Sequence, residues 1–241
     1  MSKFIVLGSS VLALAASLSI ANVVWAGPIR GRIGGYEKLF PDVYAEAAKQ
    51  GAHRFIWREP SPTVKRAYFE LSASPSRHIC IAAMSDGKVA APDPSGVAIR
   101  VSGGQTFPTT IVVQPGTKLV FQNHDPFPHR LFDKNNPAWG PQDTGPKGSR
   151  EWIAPSNQLK FEIQDQLFPS IRMFIVVKPG VATYVLPARD GSFILDVPSG
   201  NYTLQAYFQG REVGKPVSVL AKEKGIFDIK GLIDLGEGGS P

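Results

Sequence analysis

Short stretches of alternating apolar and polar residues, separated by turn residues, run through most of this chain. In the stretch 202–208 (YTLQAYF) every second side chain, from Tyr202 to Phe208, is apolar and falls on one side of an extended strand. Pro115-Gly116 and Asp190-Gly191 mark tight turns between neighbouring stretches. The pattern predicts about ten or more strands, and therefore an all-β protein built as a sandwich or a barrel.

Two parts of the chain depart from this pattern. Residues 42–50 (DVYAEAAKQ) predict a helix that Asp42 caps and Gly51 ends, with a strand through the same residues as the alternative. Residues 133–150 (DKNNPAWGPQDTGPKGSR) are polar and rich in glycine and proline, which predicts a long loop of the kind that is functional or mobile. The strands are predicted at 27–35, 53–57, 67–72, 78–84, 98–101, 109–113, 118–123, 129–132, 151–154, 158–165, 171–179, 183–188, 192–197, 202–208, 215–221 and 226–235.

The first 26 residues predict a secretory signal. Lys3 is the only charged residue before Arg30, an apolar run follows it, and small residues at Val24 and Ala26 suit cleavage after Ala26. An uncleaved membrane anchor is the alternative, because the uncharged stretch is long enough to span a bilayer. Polar residues within the stretch favour the signal. We therefore expect a periplasmic or secreted protein with no membrane span after cleavage.

Composition excludes several classes of function. The 24 glycines and 21 prolines suit turns and short strands better than long helices. The single cysteine, Cys80, excludes an intramolecular disulfide and a cysteine-rich metal cluster. The net charge of +6 is spread along the chain without a basic run, so nucleic acid is not expected as a partner. No familiar hydrolase, zinc-protease or P-loop motif occurs, and we expect no catalytic residues and no enzyme activity.

The stretch 96–132 resembles the first half of a cupredoxin domain of the plastocyanin and azurin kind. It contains a strand that runs up to the Pro-Gly turn at 115–116, the strand KLVFQN after it, and the motif N-x-D-x-x-x-H, which ends at His129. In that family the histidine of this motif is the first copper ligand. The resemblance therefore implies an all-β, cupredoxin-like Greek-key β-sandwich, with additional β segments before and after it in this chain.

A second resemblance covers residues 161–208. This stretch is similar to the second half of exported cupredoxin-like proteins that continue into a carboxypeptidase-regulatory-like set of strands. The matching pieces are FPS at 168–170, Arg172 leading into FIVV, DGSF at 190–193 and VPSGNYTL at 197–204. We therefore divide the chain into a signal peptide at 1–26, an N-terminal β-rich segment at 27–90, a cupredoxin-like sandwich at 91–180 and a regulatory-like β extension at 181–241.

The other copper ligands of the family are missing from the matching positions. A blue-copper site needs two histidines, a cysteine thiolate and usually a weak axial methionine. The positions that align with the last three ligands carry Asp165, Phe168 and Ile171, which do not replace them, and Cys80 lies upstream of His129 instead of downstream. We expect a scaffold without a functional copper site and without a cofactor; a periplasmic copper-binding or electron-transfer protein is the alternative.

Two other groupings contain residue types that bind metals. His124 and His129 lie on one loop with a carboxylate between them, and could hold Cu(II) or Zn(II) as a remnant site. Alternatively, His129 hydrogen-bonds inside the sandwich and His124 faces solvent. His78, Cys80 and Met84 share one side of a predicted strand. Alternatively, Cys80 and Met84 face the core, as an unpaired cysteine usually does. We favour the second interpretation of each grouping, without a metal.

Aromatic residues and strand edges give the predicted binding surfaces. Trp139, in the long loop, is placed to stack on a sugar or fill a partner's pocket, or else to fold back as a lid on the sandwich. Tyr207 and Gln209 lie opposite Leu204 and are predicted to face solvent or a partner. The strand through 29–33 is a candidate edge strand for pairing with another chain. We expect a structural or binding role in an envelope or extracellular assembly, with another protein as partner; a carbohydrate-binding module is the alternative.

Overall fold

The computed structural model describes residues 27–40, 74–87, 89–157, 159–223 and 225–236. Strands account for nearly all of the regular structure in these residues, and the helical pieces are short: a helix α1 (Pro75–His78) and 3₁₀ turns at Tyr36–Leu39 and Pro137–Trp139. The strands are β1 (Ile29–Gly34), β2 (Ile79–Ser85), β3 (Val97–Ser102), β4 (Gln105–Phe107), β5 (Thr110–Val113), β6 (Lys118–Asn123), β7 (His129–Asp133), β8 (Gln142–Thr144), β9 (Ser149–Ile153), β10 (Lys160–Asp165), β11 (Arg172–Val177), β12 (Val181–Val185), β13 (Ser192–Leu195), β14 (Gly200–Phe208), β15 (Arg211–Ala221), β16 (Phe227–Asp228) and β17 (Ile233–Asp234).

The centre of the molecule is a sandwich of two sheets. One sheet has the strand order β5-β11-β10-β7-β8, and the other has the order β4-β3-β6-β9. The pairs β5–β11 and β3–β6 are parallel, so the chain crosses between the sheets as a Greek key requires. Alternate residues of each strand, among them Phe121, Trp152 and Ile163, form the buried core between the sheets. The predicted all-β sandwich is confirmed.

Strands before and after the sandwich form a second β unit. One of its sheets has the order β12-β2-β14-β15, and the facing strands have the order β13-β1-β16, with β17 also paired to β1. Ile29, Phe193 and Leu204 lie in the core of this unit. β1 and β2 belong to the predicted segment 27–90, whereas β12 to β17 belong to the predicted extension 181–241. Strands from both segments therefore share the same sheets.

The expectation that the first strand is an edge strand is wrong. β1 pairs with β13 on one side and with β16 and β17 on the other. Ile29 and Ile33 are 0% and 1% exposed, so the alternation in the sequence correctly predicts that their side of the strand is buried. With both sides paired, β1 has no free edge to offer another chain.

One sheet of the second unit also packs against the sandwich. Cys80 of β2 and Tyr207 of β14 meet Val112 of β5 and Val176 of β11 in a separate buried cluster. Both faces of β2 are therefore covered, which explains its unbroken apolar run ICIAAM. The expectation that Tyr207 faces solvent is wrong: it is 1% exposed, because the sandwich covers its side of β14.

The predicted loop at 133–150 contains more regular structure than its composition indicates. A 3₁₀ turn forms at Pro137–Trp139, and β8 pairs with β7 through His129 and Thr144. The sequence of β8, QDT, has no apolar alternation, because this short edge strand is held by backbone pairing and exposes most of its side chains. The prediction of one long loop is therefore wrong over these residues.

Several predicted elements lie outside the described residues. They are the signal segment at 1–26, the helix at 42–50 and the strands at 53–57 and 67–72. The prediction of a strand at 78–84 is confirmed as β2, although His78 belongs to α1. Among the described residues, no helix has both the length and the apolar character needed to cross a membrane.

Candidate functional site

His129 is buried at one end of the sandwich, and both of its ring nitrogens contact carboxylates. Nδ1 lies 2.9 Å from Oδ2 of Asp165, and Nε2 lies 3.0 Å from Oδ2 of Asp125. His129 itself is 0% exposed. A hydrogen bond at each contact requires one proton between the nitrogen and the oxygen. We call these three groups the carboxylate–histidine cluster.

The backbone fixes Asp165 in this cluster. Asp165 ends β10, and its Oδ1 accepts hydrogen bonds from the backbone N–H groups of Leu167 and Phe168, at 2.7 and 3.0 Å. Its Oδ2 also accepts the N–H of Arg130, at 3.1 Å. The carboxylate therefore satisfies three buried or half-buried donors in addition to the histidine, and these four contacts hold the turn after β10 in place.

The motif N-x-D-x-x-x-H forms a hydrogen-bonded loop. Oδ1 of Asn123 accepts the N–H of Asp125, and Nδ2 of Asn123 donates to the carbonyl of Phe127, both at 2.8 Å. Asp125 in turn accepts the N–H of Gly103 at 2.8 Å. Burial raises the pKa of Asp125, but the hydrogen bonds from Gly103 and His129 outweigh it, so the pKa of this carboxyl is below its ordinary value.

Two aromatic rings cover the buried histidine. The ring centroid of His129 lies 5.4 Å from that of Phe127 and 5.1 Å from that of Phe168, both in edge-to-face geometry. Phe127 and Phe168 also stack on each other at 4.7 Å. Because these rings shield the imidazole from water, its hydrogen bonds to the two carboxylates are made in a largely apolar setting.

The residues of the cluster do not fit blue copper. Positions 129 and 165, which the resemblance implies as copper ligands, are in contact, but Asp165 supplies a carboxylate and directs it at His129. Phe168 and Ile171 supply no donor atom, and Cys80 lies in a different buried cluster. The two carboxylates contact opposite nitrogens of the imidazole, so the three groups do not converge on one point. Within the described residues, no three or more His, Cys, Asp or Glu side chains are arranged to hold a metal.

The other predicted metal residues are placed apart. His78 precedes β2, with Nδ1 3.0 Å from Oγ1 of Thr109, so the prediction that it shares a strand face with Cys80 and Met84 is wrong. Burial, with Arg77 nearby, lowers the pKa of His78 to about 4, whereas burial raises the pKa of the Cys80 thiol to about 12. A buried thiol of this kind is a poor metal ligand, because the thiolate is the binding form.

The loop residues proposed for binding are placed as follows. His124 is exposed, whereas His129 is buried. Trp139 is half-buried and folds back on the sandwich: its Nε1 donates to the carbonyl of Glu151 at 2.8 Å. The guanidinium carbon of Arg150 lies 3.7 Å from the centre of its ring. One face of the Trp139 ring is therefore already occupied by a cation, and its indole N–H already has an acceptor.

Sequence reasoning missed the partnership within the cluster and a polar cavity beside α1. The sequence marks Asp165 only as a position where a copper ligand is missing. A carboxylate aligned opposite a histidine is nevertheless a signal for a hydrogen-bonded pair. The cavity brings together residues from α1, β4, β11 and the β14–β15 turn. No local sequence pattern marks such a site, because its parts are far apart in the chain.

Comparison with known proteins finds similar folds over part of the chain. Amicyanin from Paracoccus versutus is 13% identical, with a TM-score of 0.32, and the match covers 41% of this chain and 97% of that chain. A reduced amicyanin variant is 11% identical, with a TM-score of 0.32, covering 41% and 98%. A copper-containing nitrite reductase from Thermus scotoductus SA-01 is 17% identical, with a TM-score of 0.32, covering 40% of this chain and only 25% of that chain. No protein-family model and no curated protein matches the chain. What this chain binds is therefore judged from its own residues.

Proposed function

We propose that this chain is an exported, non-catalytic β-sandwich protein with a structural or binding role in an envelope or extracellular assembly. Its cupredoxin-like sandwich then serves as a framework and not as a copper carrier. One observation carries this proposal: Asp125 and Asp165 engage both ring nitrogens of His129. A histidine in this state has no free nitrogen lone pair to offer a metal.

Exposed apolar side chains on edge strands support a role in assembly. Ile153 on β9, Ile194 on β13 and Leu220 on β15 are 61%, 56% and 47% exposed. Each of these strands ends its sheet among the described residues, so one row of its backbone N–H and C=O groups has no partner strand there. An extended segment of a partner protein adds to such an edge by main-chain hydrogen bonds and buries the apolar side chains.

The alternatives have less support. A carbohydrate-binding role would use Trp139 and Tyr207 to stack on a sugar. Tyr207 is buried, however, and one face of the Trp139 ring is covered by Arg150. A copper-binding or electron-transfer role needs copper ligands that the residues around His129 do not supply, as described above. That residues 181–241 form a carboxypeptidase-regulatory-like extension stays a prediction.

Cross-linking in the envelope of the source cell, followed by mass spectrometry, tests the assembly role. We expect a discrete complex whose cross-links map near β9, β13 or β15. Replacing the exposed edge residue by lysine, as Ile153→Lys, Ile194→Lys or Leu220→Lys, should abolish the complex for the edge that is used, because a buried unpaired charge is costly.

A matched control is Leu232→Lys, which changes a 64% exposed apolar side chain in a turn outside the strands and should keep the complex. A protein that remains monomeric in the envelope, without specific cross-links, would contradict the proposal. So would a complex that all three edge variants leave intact.

A further inference from the structure

A polar cavity lies where the second β unit meets the edge of the sandwich. Its volume is about 370 Å³, and its walls come from α1, β4, β11 and the turn between β14 and β15. Gln209, in that turn, has a left-handed backbone with φ of 49° and is held there by a hydrogen bond of 3.1 Å from its N–H to Oγ1 of Thr110. This contact fixes the turn so that Gln209 lines the cavity opposite β4.

The charge of the cavity wall is positive. Arg77 and Arg172 line it, and no carboxylate does among the described residues. Arg172 is already paired with Glu162, at 2.6 Å from its Nε. Arg77 makes no ion pair with a described residue; its guanidinium carbon lies 4.9 Å from the centre of the Phe107 ring. Burial lowers the pKa of Arg77, which reflects the cost of taking this charge out of water.

Two buried polar atoms of the same wall lack partners. Nε of Arg77 and Oγ1 of Thr106 have no hydrogen-bond partner among the described residues, and Thr106 is 0% exposed. Buried polar groups in folded proteins almost always have partners, so each exception needs an explanation. Here both exceptions belong to residues that line one cavity, and among the described residues no carboxylate lines that cavity to balance its positive charge.

We propose that this cavity binds a small ligand through its oxyanion group, a carboxylate or a phosphate. Arg77 supplies the charge of the cavity wall that such a group needs. Guanidinium groups favour these anions because the planar N–H fork matches two of their oxygens. Gln105 and Ser170 line the same cavity and add polar groups at its wall. The site is separate from the edge strands of the proposed assembly role, so each is tested independently.

Titration calorimetry of the purified protein with inorganic phosphate and, separately, with succinate tests this site. We expect saturable binding of one equivalent of one of the two anions, and the anion that binds identifies the class of ligand. Arg77→Gln should weaken binding by about tenfold or more, because a charged hydrogen-bonded contact is lost. Arg100→Gln is the matched control: Arg100 also lies over the Phe107 ring, at 5.8 Å, but does not line the cavity.

In the unchanged protein, the Arg77 Nε–H signal in a proton–nitrogen correlation spectrum should shift on anion addition. This measurement tests binding beside Arg77 even if the arginine variant does not fold. The absence of saturable binding with both anions would overturn the proposal. So would binding that Arg77→Gln leaves unchanged, or that moves no Arg77 signal.

Discussion

Replacing Asp165 by alanine is expected to lower the free energy of unfolding by about 3–5 kcal/mol, because it removes one partner of a buried, hydrogen-bonded charge cluster. The change leaves Nδ1 of His129 without an acceptor. It also leaves the N–H groups of Arg130, Leu167 and Phe168 without theirs. Urea unfolding followed by circular dichroism measures the loss.

Asp143→Ala is the matched control for this change. Asp143 also pairs with a residue of β7, Arg130, but its carboxylate is exposed, and surface ion pairs contribute little to stability. The control should therefore cost much less than Asp165→Ala. Equal effects of the two variants would show that the carboxylate–histidine cluster does not hold the end of the sandwich together.

Lowering the pH from 6.5 to 4 is expected to destabilise the protein by about 3 kcal/mol through His78 alone. Burial, with the Arg77 charge nearby, lowers the pKa of His78 from 6.5 to about 4 in the folded state. In this window the unfolded chain binds a proton at His78 that the folded chain does not. Stability is therefore highest above pH 6.5 and falls as the pH approaches 4.

Among the residues that the structure describes, no acid near His78 reverses this direction. Its Nδ1 meets the hydroxyl of Thr109, and the Phe40 ring lies 5.2 Å away. Denaturant midpoints between pH 4 and 7 for the protein and for His78→Gln measure the effect as the difference between two profiles. His124→Gln, at an exposed histidine, should follow the unchanged protein. Parallel profiles for the protein and His78→Gln would refute the assignment.

The fold was predictable from the sequence because strand alternation and turn residues are local signals. Ile29 and Ile33 point inward as the alternation predicts, and Gly191 has a φ of 82° in the predicted Asp-Gly turn. Tyr207 shows the limit of such signals. Alternation places it on one side of β14, but only the packing of the second unit on the sandwich decides that this side is buried.

The sequence predicts that copper ligands are missing from the candidate site, but it does not predict the contacts that His129 makes there. Aligning the resemblance through the residues after β10 predicts that position 165 carries a carboxylate where copper chemistry needs a thiolate. The contact between this carboxylate and His129 depends on the register of β10 and β7, which pairs Asp165 with Leu131. Register between strands far apart in the chain follows from the whole sandwich, and one sequence does not reveal it.

A copper titration tests most directly the claim that Asp125 and Asp165 engage His129 in place of a metal. Absorption near ~600 nm reports blue copper, and the two ring nitrogen signals of His129 report its hydrogen bonds. We predict no visible band, and both nitrogen signals unchanged, when one equivalent of copper is added. A blue band, or loss of either His129 signal in proportion to the copper added, would contradict the claim.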